Sequence, residues 1–209
     1  IVVLSINGAI GPAYADYFVR SVDYASNNNA AAILLTMDTP GGLDKSMRVM
    51  IQAISQSSIP IITYITPTGA RAASAGTYLL YASHVAAMTP GTNLGAATPV
   101  SLAPSPSTPS ATPENSEKKE SSPSAMEKKV VNDAVAYIKG FADIHNRNAE
   151  WAEDAVRNAV SITATEALEK NVIDYVAESK ESLIEQINGK SIIMNGKRET
   201  LTLENITFT

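Results

Sequence analysis

Gly69-Ala-Arg-Ala-Ala-Ser-Ala-Gly-Thr77 follows closely on the apolar run Ile59-Pro-Ile-Ile-Thr-Tyr-Ile65, and this pair decides the fold. The apolar run reads as a buried strand, and the cluster of small residues reads as a turn that opens a helix. Such a turn lifts Ser74 out of the sheet, and its small neighbours let another backbone approach the hydroxyl. The same logic appears upstream. Ile33-Leu-Leu-Thr-Met37, within an apolar stretch that begins at Ala30, is a second buried strand, and it runs into Asp38-Thr-Pro-Gly-Gly42 before a new helical pattern. Two glycines at such a place can turn backbone N–H groups toward a developing oxyanion. Ile1-Val-Val-Leu-Ser-Ile6 is a third continuous apolar run.

Between these runs lie helical patterns. Tyr14, Phe18, Val22 and Tyr24 fall on or near one face, and Met47, Val49, Met50, Ile51 and Ile54 mark a helix over Leu43–Ile54. Strand and helix alternating in this way predict right-handed crossovers and a mostly parallel sheet with flanking helices, an α/β fold. In that arrangement the loops after the second and third strands share one sheet edge, where α/β folds place their sites.

Downstream, Ser101 to Ser124 changes character, with five prolines scattered among serines, threonines and the charged patch Glu117-Lys-Lys-Glu120. This reads as a mobile insertion, taken as 101–125, rather than a linker between two domains, because the upstream strands need covering helices. Met126–Ile144 is a long amphipathic helix, and another covers Ala149–Val160 around Trp151. Thr163-Ala-Thr-Glu166 has capping-box spacing. Val172–Val176 reads as a late strand and Glu178–Ile187 as a helix. The tail is expected to form a hairpin, with Ser191–Met194 and Thr200–Leu203 on either side of Asn195-Gly196. The resulting division is a main domain over 1–190 and a hairpin tail over 191–209.

Composition narrows the chemistry. The 209 residues are 44% hydrophobic and 18% charged, with a net charge of −5 and no basic stripe interleaved with aromatics. A nucleic-acid partner is therefore not expected. No cysteine is present, which removes thiol nucleophiles and cysteine metal sites, and two histidines cannot build a histidine-rich metal cluster. No segment is apolar for long enough to span a bilayer. The chain begins inside a strand-like run without an initiator methionine, as expected of a fragment or mature piece.

Ser74 needs a base to become a nucleophile. His84, at a helix-to-strand junction, and His145, near the end of the long helix, read as packing or surface residues. The remaining choice is a lysine kept neutral by an apolar setting. Lys118 and Lys119 sit in the charged patch, and Lys139 lies further along the helix. If the helix is regular from Met126, spacing aligns Lys128 with Val131 and Val135. If it starts later, Lys129 hangs from its first turn. Asp38 reads as a turn residue. Arg71 suits either a carboxylate or a subunit contact.

Asp38-Thr-Pro-Gly-Gly42, Ala72-Ala-Ser-Ala-Gly-Thr-Tyr78, Met88-Thr-Pro-Gly-Thr92 with Gly95-Ala-Ala97, and Asn146-Arg-Asn-Ala-Glu-Trp-Ala-Glu153 occur in one order. Together they resemble the catalytic domain of the NfeD family, membrane-bound serine proteases of the Clp protease (ClpP) class related to signal peptide peptidase A. The resemblance implies a ClpP/crotonase-like sheet built from repeated ββα and βαβ units. It also implies Ser74 as nucleophile and Lys129 as general base, the N–H groups of Gly42 and Ala75 as the oxyanion hole, and Gly41 as a support of the turn. Hydrophobic segments of stomatin-like membrane proteins would be cut by a homodimer or higher oligomer, without metal or cofactor. The full protein would be membrane-associated, with this domain outside the cytoplasm. Two rival readings are a silent scaffold that binds a stomatin-like partner and a crotonase-type acyl-CoA enzyme.

Overall fold

The structure, a computed structural model, describes residues 1–100, 124–204 and 206–209. The segment read as an insertion, 101–125, lies outside the described residues except for its last two. In chain order the first elements are β1 (Val2–Asn7), α1 (Pro12–Asn27), β2 (Ile33–Asp38), α2 (Asp44–Gln56), β3 (Ile61–Ile65), β4 (Arg71–Ala73), α3 (Ala75–Ala82), β5 (Val85–Met88) and β6 (Asn93–Gly95). They are followed by α4 (Ala125–His145), α5 (Ala149–Arg157), β7 (Ser161–Thr163), α6 (Ala164–Glu169), β8 (Tyr175–Val176), α7 (Lys180–Ile187), β9 (Ser191–Met194) and β10 (Lys197–Thr200).

The main sheet has the order β1-β2-β3-β5-β8, with every neighbouring pair parallel. Alternation along each strand divides its residues between two cores. Ile33, Leu35 and Met37 of β2 join α1 to α6 in the larger core, where Phe18, Met50, Ile51, Ile138 and Val156 are nearly inaccessible. Leu34, Ile62 and Tyr64 point the other way, against Leu183, Ile184 and Ile187 of α7 and Ile192, Leu201 and Leu203. Each such aliphatic side chain contributes about 1.5–3 kcal/mol by leaving water. The α/β expectation holds, and the hairpin shares the second layer with α7. On β1's free edge, Val3 N–H donates to Thr209 and Thr209 N–H to Ile1.

Several boundaries differ from the sequence reading for local reasons. β3 begins at Ile61 and not at Ile59, because Pro60 has no N–H to give a ladder. Phe18 and Val22 of α1 are buried, but Tyr24 is exposed, since Ala25 holds the inward position. The late strand shrinks to Tyr175–Val176. In the hairpin, Asn195 (φ 50°) and Gly196 (φ 72°) make a two-residue turn, so the second strand starts at Lys197 and ends at Thr200. Two helices start with capping boxes, one of them read from the sequence. Thr163 and Glu166 form the expected capping box, and Ser124 with Glu127 forms one at the start of α4.

The larger departure concerns Ser74. It does not end β3. A separate three-stranded sheet of order β4-β6-β7 stands at the carboxyl end of the main strands, and Ser74 follows its first strand.

Candidate active site

β4 is held by the extension of β2. Thr39 N–H donates to the Arg71 carbonyl at 2.8 Å and the Thr39 carbonyl accepts from Ala73 N–H at 3.0 Å, which brackets the strand from both sides. Asp38 adds a carboxylate oxygen 3.1 Å from Arg71 N–H. Asp38 is thus a backbone anchor, as expected, but it ties down β4 and not its own loop. The Arg71 side chain is exposed.

Ser74 then stands at the N-terminus of α3 with φ 52° and ψ −118°. A side chain in this region costs about 1–3 kcal/mol, so the turn persists only because its surroundings hold it. Ser74 N–H donates to the Gly95 carbonyl at 3.0 Å, and the Ser74 carbonyl accepts from Thr77 N–H at 2.9 Å. The buried Thr77 hydroxyl donates between the Ala72 and Gly95 carbonyls, at 2.9 and 3.0 Å. Every backbone group that fixes the turn is paired, whereas Ser74 Oγ has no hydrogen-bond partner among the described residues. Its side chain is half-buried.

The glycine loop lies directly against it. Gly41 has φ +118°, and a Cβ there would stand 2.6 Å from Ser74 Cβ and 3.1 Å from Ser74 Oγ. Only glycine permits this approach. Gly42 is equally confined, because a Cβ would run into the Ile10 backbone. Ile10 accepts from Leu43 N–H and donates to the Gly41 carbonyl, so the loop is pinned on both sides of Gly42. Among the described residues, the N–H groups of Gly42 and Ala75 have no acceptor. Ala75 is the first residue of α3, where helical N–H groups lack intrahelical partners and the helix dipole is positive. The structure therefore brings Ser74, Gly41, Gly42 and Ala75 to one place with two backbone donors unused.

No lysine among the described residues is hydrogen-bonded to that group. α4 is regular from Ala125, which puts Lys128 in line with Val131 and Val135. Lys129 instead shares a face with Asn132 and Asp133, whose side chains receive Arg157 and Arg48. Both lysines are exposed, and neither hydrogen-bonds to Ser74 Oγ. Lys139 is paired with Glu153 at 2.7 Å. Lys118 and Lys119 lie outside the described residues.

The histidines are excluded by position. His84 Nδ1 accepts from the N–H of Ile61, the first residue of β3, at 3.0 Å. Both rings therefore sit at the amino edge of the sheet, with centroids 5.9 Å apart. Ser74 is past the opposite edge, and the five residues of β3 alone separate the edges by roughly 13 Å. Burial, then the nearby Arg147 guanidinium, pushes His84 down to about 4 and His145 to about 3. Arg147 is a structural residue that the sequence does not single out. Its Nη1 lies against the carbonyls of Leu80, Tyr81 and Ser83, and its Nη2 pairs with Asp174 at 2.6 Å. Only the motif Asn146–Glu153 points to it, without a role.

Among the described residues no group of three or more acidic or histidine side chains could hold a metal ion, and no helix is long and apolar enough to cross a membrane. Comparison with known proteins agrees with the architecture. The chain is 38% identical over 206 residues to the membrane-bound protease PH1510 of Pyrococcus horikoshii, covering 98% of this chain and 44% of that protein. It thus spans less than half the length of that relative. Two solved structures of the stomatin-specific protease 1510-N superpose over the whole chain. One is a serine-to-alanine mutant with 36% identity, a TM-score of 0.85 and 95% of its own chain covered. The other, a lysine-to-alanine mutant in complex with a substrate peptide, has 37% identity, a TM-score of 0.84 and 90% covered. The ClpP catalytic domain of Plasmodium falciparum shares the fold at a TM-score of 0.60 and 16% identity, over 86% of each chain. Residues 1–194 match the family described as NfeD1b, N-terminal domain. The chain belongs to the NfeD1b family, and what it carries is that family's N-terminal, ClpP-like domain.

Proposed function

We propose that this domain is a serine endopeptidase in which Ser74 attacks the peptide carbonyl and Lys129 takes the serine proton. The N–H groups of Gly42 and Ala75 hold the tetrahedral oxyanion, and Gly41 supports their approach. The protonated lysine then gives its proton to the leaving amine, and water repeats the cycle on the acyl-enzyme. The observation that carries this reading is the Ser74 turn: a strained serine with a free hydroxyl, packed on a glycine loop, beside two unused backbone donors. Two features of the relatives support it. The solved 1510-N mutants replace a serine and a lysine, and one holds a substrate peptide.

Lys129 is exposed in the free chain, so the dyad is assembled only when substrate or a second copy covers the start of α4. That covering also removes water from around the ammonium, as a base requires. Lys128, which helix geometry favours, is the reserve. The substrate class is a hydrophobic segment of a stomatin-like membrane protein, and the working form is a homodimer or larger homo-oligomer. The domain stands on the extracytoplasmic side of a membrane-anchored protein, and its chemistry uses no metal or cofactor.

Cleavage of a hydrophobic stomatin-like peptide by the wild type and by Ser74→Ala, Lys129→Ala and Lys128→Ala tests this reading. The first two are expected to lose about a thousandfold or more in kcat with unchanged melting temperature, and the third to lose less than tenfold. An unimpaired Lys129→Ala with an inactive Lys128→Ala would move the base by one residue. A Ser74→Ala variant at full rate would sink the reading. An inactive wild type that still binds a stomatin-like protein would favour the silent scaffold.

A further inference from the structure

Thr39 lies between the two loops of the site and touches both. It is fully buried, at 0% exposure, although it is polar. Its hydroxyl donates to the Gly41 carbonyl at 3.0 Å and receives Gly41 N–H at 3.1 Å, closing the glycine turn in both directions. Its backbone grips β4 on the Arg71 and Ala73 sides of Ala72. Its methyl group fills the space beside Gly76, where an added Cβ would stand 2.6 Å from Thr39 Cγ2. One residue therefore holds the Gly41 peptide, the strand before Ser74, and the first turn of the helix after it.

We propose that Thr39 is the positioning residue that sets the oxyanion loop against the Ser74 turn. The inference rests on the serine-hydrolase reading above. Gly42 N–H can serve an oxyanion only if the peptide before it is correctly rotated. Glycine at position 41 is free to rotate, with φ +118° available to it and many other values besides. Neither Ser74 nor Gly42 supplies the restraint, since Ser74 Oγ is unpaired and Gly42 N–H donates to nothing among the described residues. Ile10 N–H holds the Gly41 carbonyl at 2.8 Å, and the Thr39 hydroxyl shares that carbonyl and accepts from Gly41 N–H, so it is the side chain that reaches both polar groups of residue 41. Without it, the buried Gly41 N–H loses its acceptor, the Gly41 carbonyl keeps only Ile10 N–H, and the turn relaxes to find another partner. The loss falls on the transition state, because the peptide carbonyl moves toward the oxyanion position only as the tetrahedral centre forms.

The test compares Thr39→Val, Thr39→Ala and Thr39→Ser with the wild type in peptide cleavage. It also measures peptide affinity in the Ser74→Ala background with Thr39 and with Thr39→Val. Thr39→Val is expected to lower kcat about a hundredfold with KM changed less than about threefold. Thr39→Ser restores the hydroxyl and is expected to remain within about fivefold of wild type. Peptide affinity in the Ser74→Ala background is expected to be the same with either residue at 39. If Thr39→Val does not fold, Thr39→Ala, which adds no bulk, takes its place in each comparison. The proposal is overturned if Thr39→Val keeps the wild-type kcat, if Thr39→Ser falls as far as Thr39→Val, or if peptide affinity falls as much as kcat/KM. A wild type that neither cleaves the peptide nor takes up a fluorophosphonate on Ser74 overturns the hydrolase reading, and this proposal with it. An active wild type with an unaffected Thr39→Val overturns this proposal alone.

Discussion

The two edges of the main sheet carry opposite kinds of polar chemistry. The amino edge gathers His84, His145, Arg147 and Asp174, and His84, His145, Asp174, Lys190 and Arg198 line a cleft of about 200 Å³ there. The carboxyl edge, around Ser74, is built mainly from backbone groups, with the Asp38 carboxylate tied to Arg71 N–H. Yet Arg147 and Asp174 are spent: Arg147 meets three carbonyls and a carboxylate, and Asp174 also accepts Ala86 N–H at 2.7 Å. At the carboxyl edge a hydroxyl on a fixed turn and two backbone donors have no partners among the described residues. Capacity for catalysis lies with groups that are positioned and unsatisfied, not with groups that are merely ionisable.

The comparison can be broken at either edge. The largest effect on stability is expected from Arg147→Leu. The Arg147 side chain is 1% exposed, and its removal strands Asp174 and three carbonyl oxygens. A destabilisation of about 3–5 kcal/mol is expected, with kcat per folded molecule unchanged. A thermal melt beside active-site titration measures both. A loss of kcat without loss of stability would place catalytic chemistry at the amino edge.

Gly41→Ala has the reverse signature. The added methyl meets Ser74 Cβ at 2.6 Å, and the backbone conformation is strained for alanine. About a hundredfold is expected to disappear from kcat, with a smaller change in melting temperature. A Gly41→Ala variant with normal kcat would mean that the loop does not work against Ser74.

The smallest effect is in acid. His84 and His145 take protons at about 4 and about 3 in the folded chain, below the ordinary value of about 6.5. The unfolded chain therefore binds more protons as pH falls below about 6.5, and the stability due to the neutral rings declines from there toward pH 4. Between pH 6.5 and 5, before most carboxylates titrate, the melting temperature should drop by several degrees. A flat profile over that window would show that the rings are not held neutral.

The parallel sheet could be read from the sequence because its strands are long apolar runs separated by helical periodicity. The Ser74 turn and the glycine loop were visible for a related reason: small residues at strand ends have few other uses. The second sheet was not visible. Arg71–Ala73, Asn93–Gly95 and Ser161–Thr163 are three residues each, too short for a period, and the last pairs across more than sixty positions. Without that sheet, Ser74 could only be placed after β3. Thr39 and Arg147 were hidden differently, since their importance lies in partners distant in sequence. The base was the hardest. Spacing favoured Lys128, family resemblance favoured Lys129, and the folded chain leaves both in solvent.

The central claim is that the nucleophile is Ser74 at the carboxyl edge. Treatment of the purified chain with a fluorophosphonate, followed by mass mapping of the labelled peptide, tests it directly. A single adduct on Ser74, formed in step with loss of peptide cleavage, is the expected result. Cleavage abolished by an adduct on another residue, or cleavage that persists with Ser74 fully labelled, would contradict it.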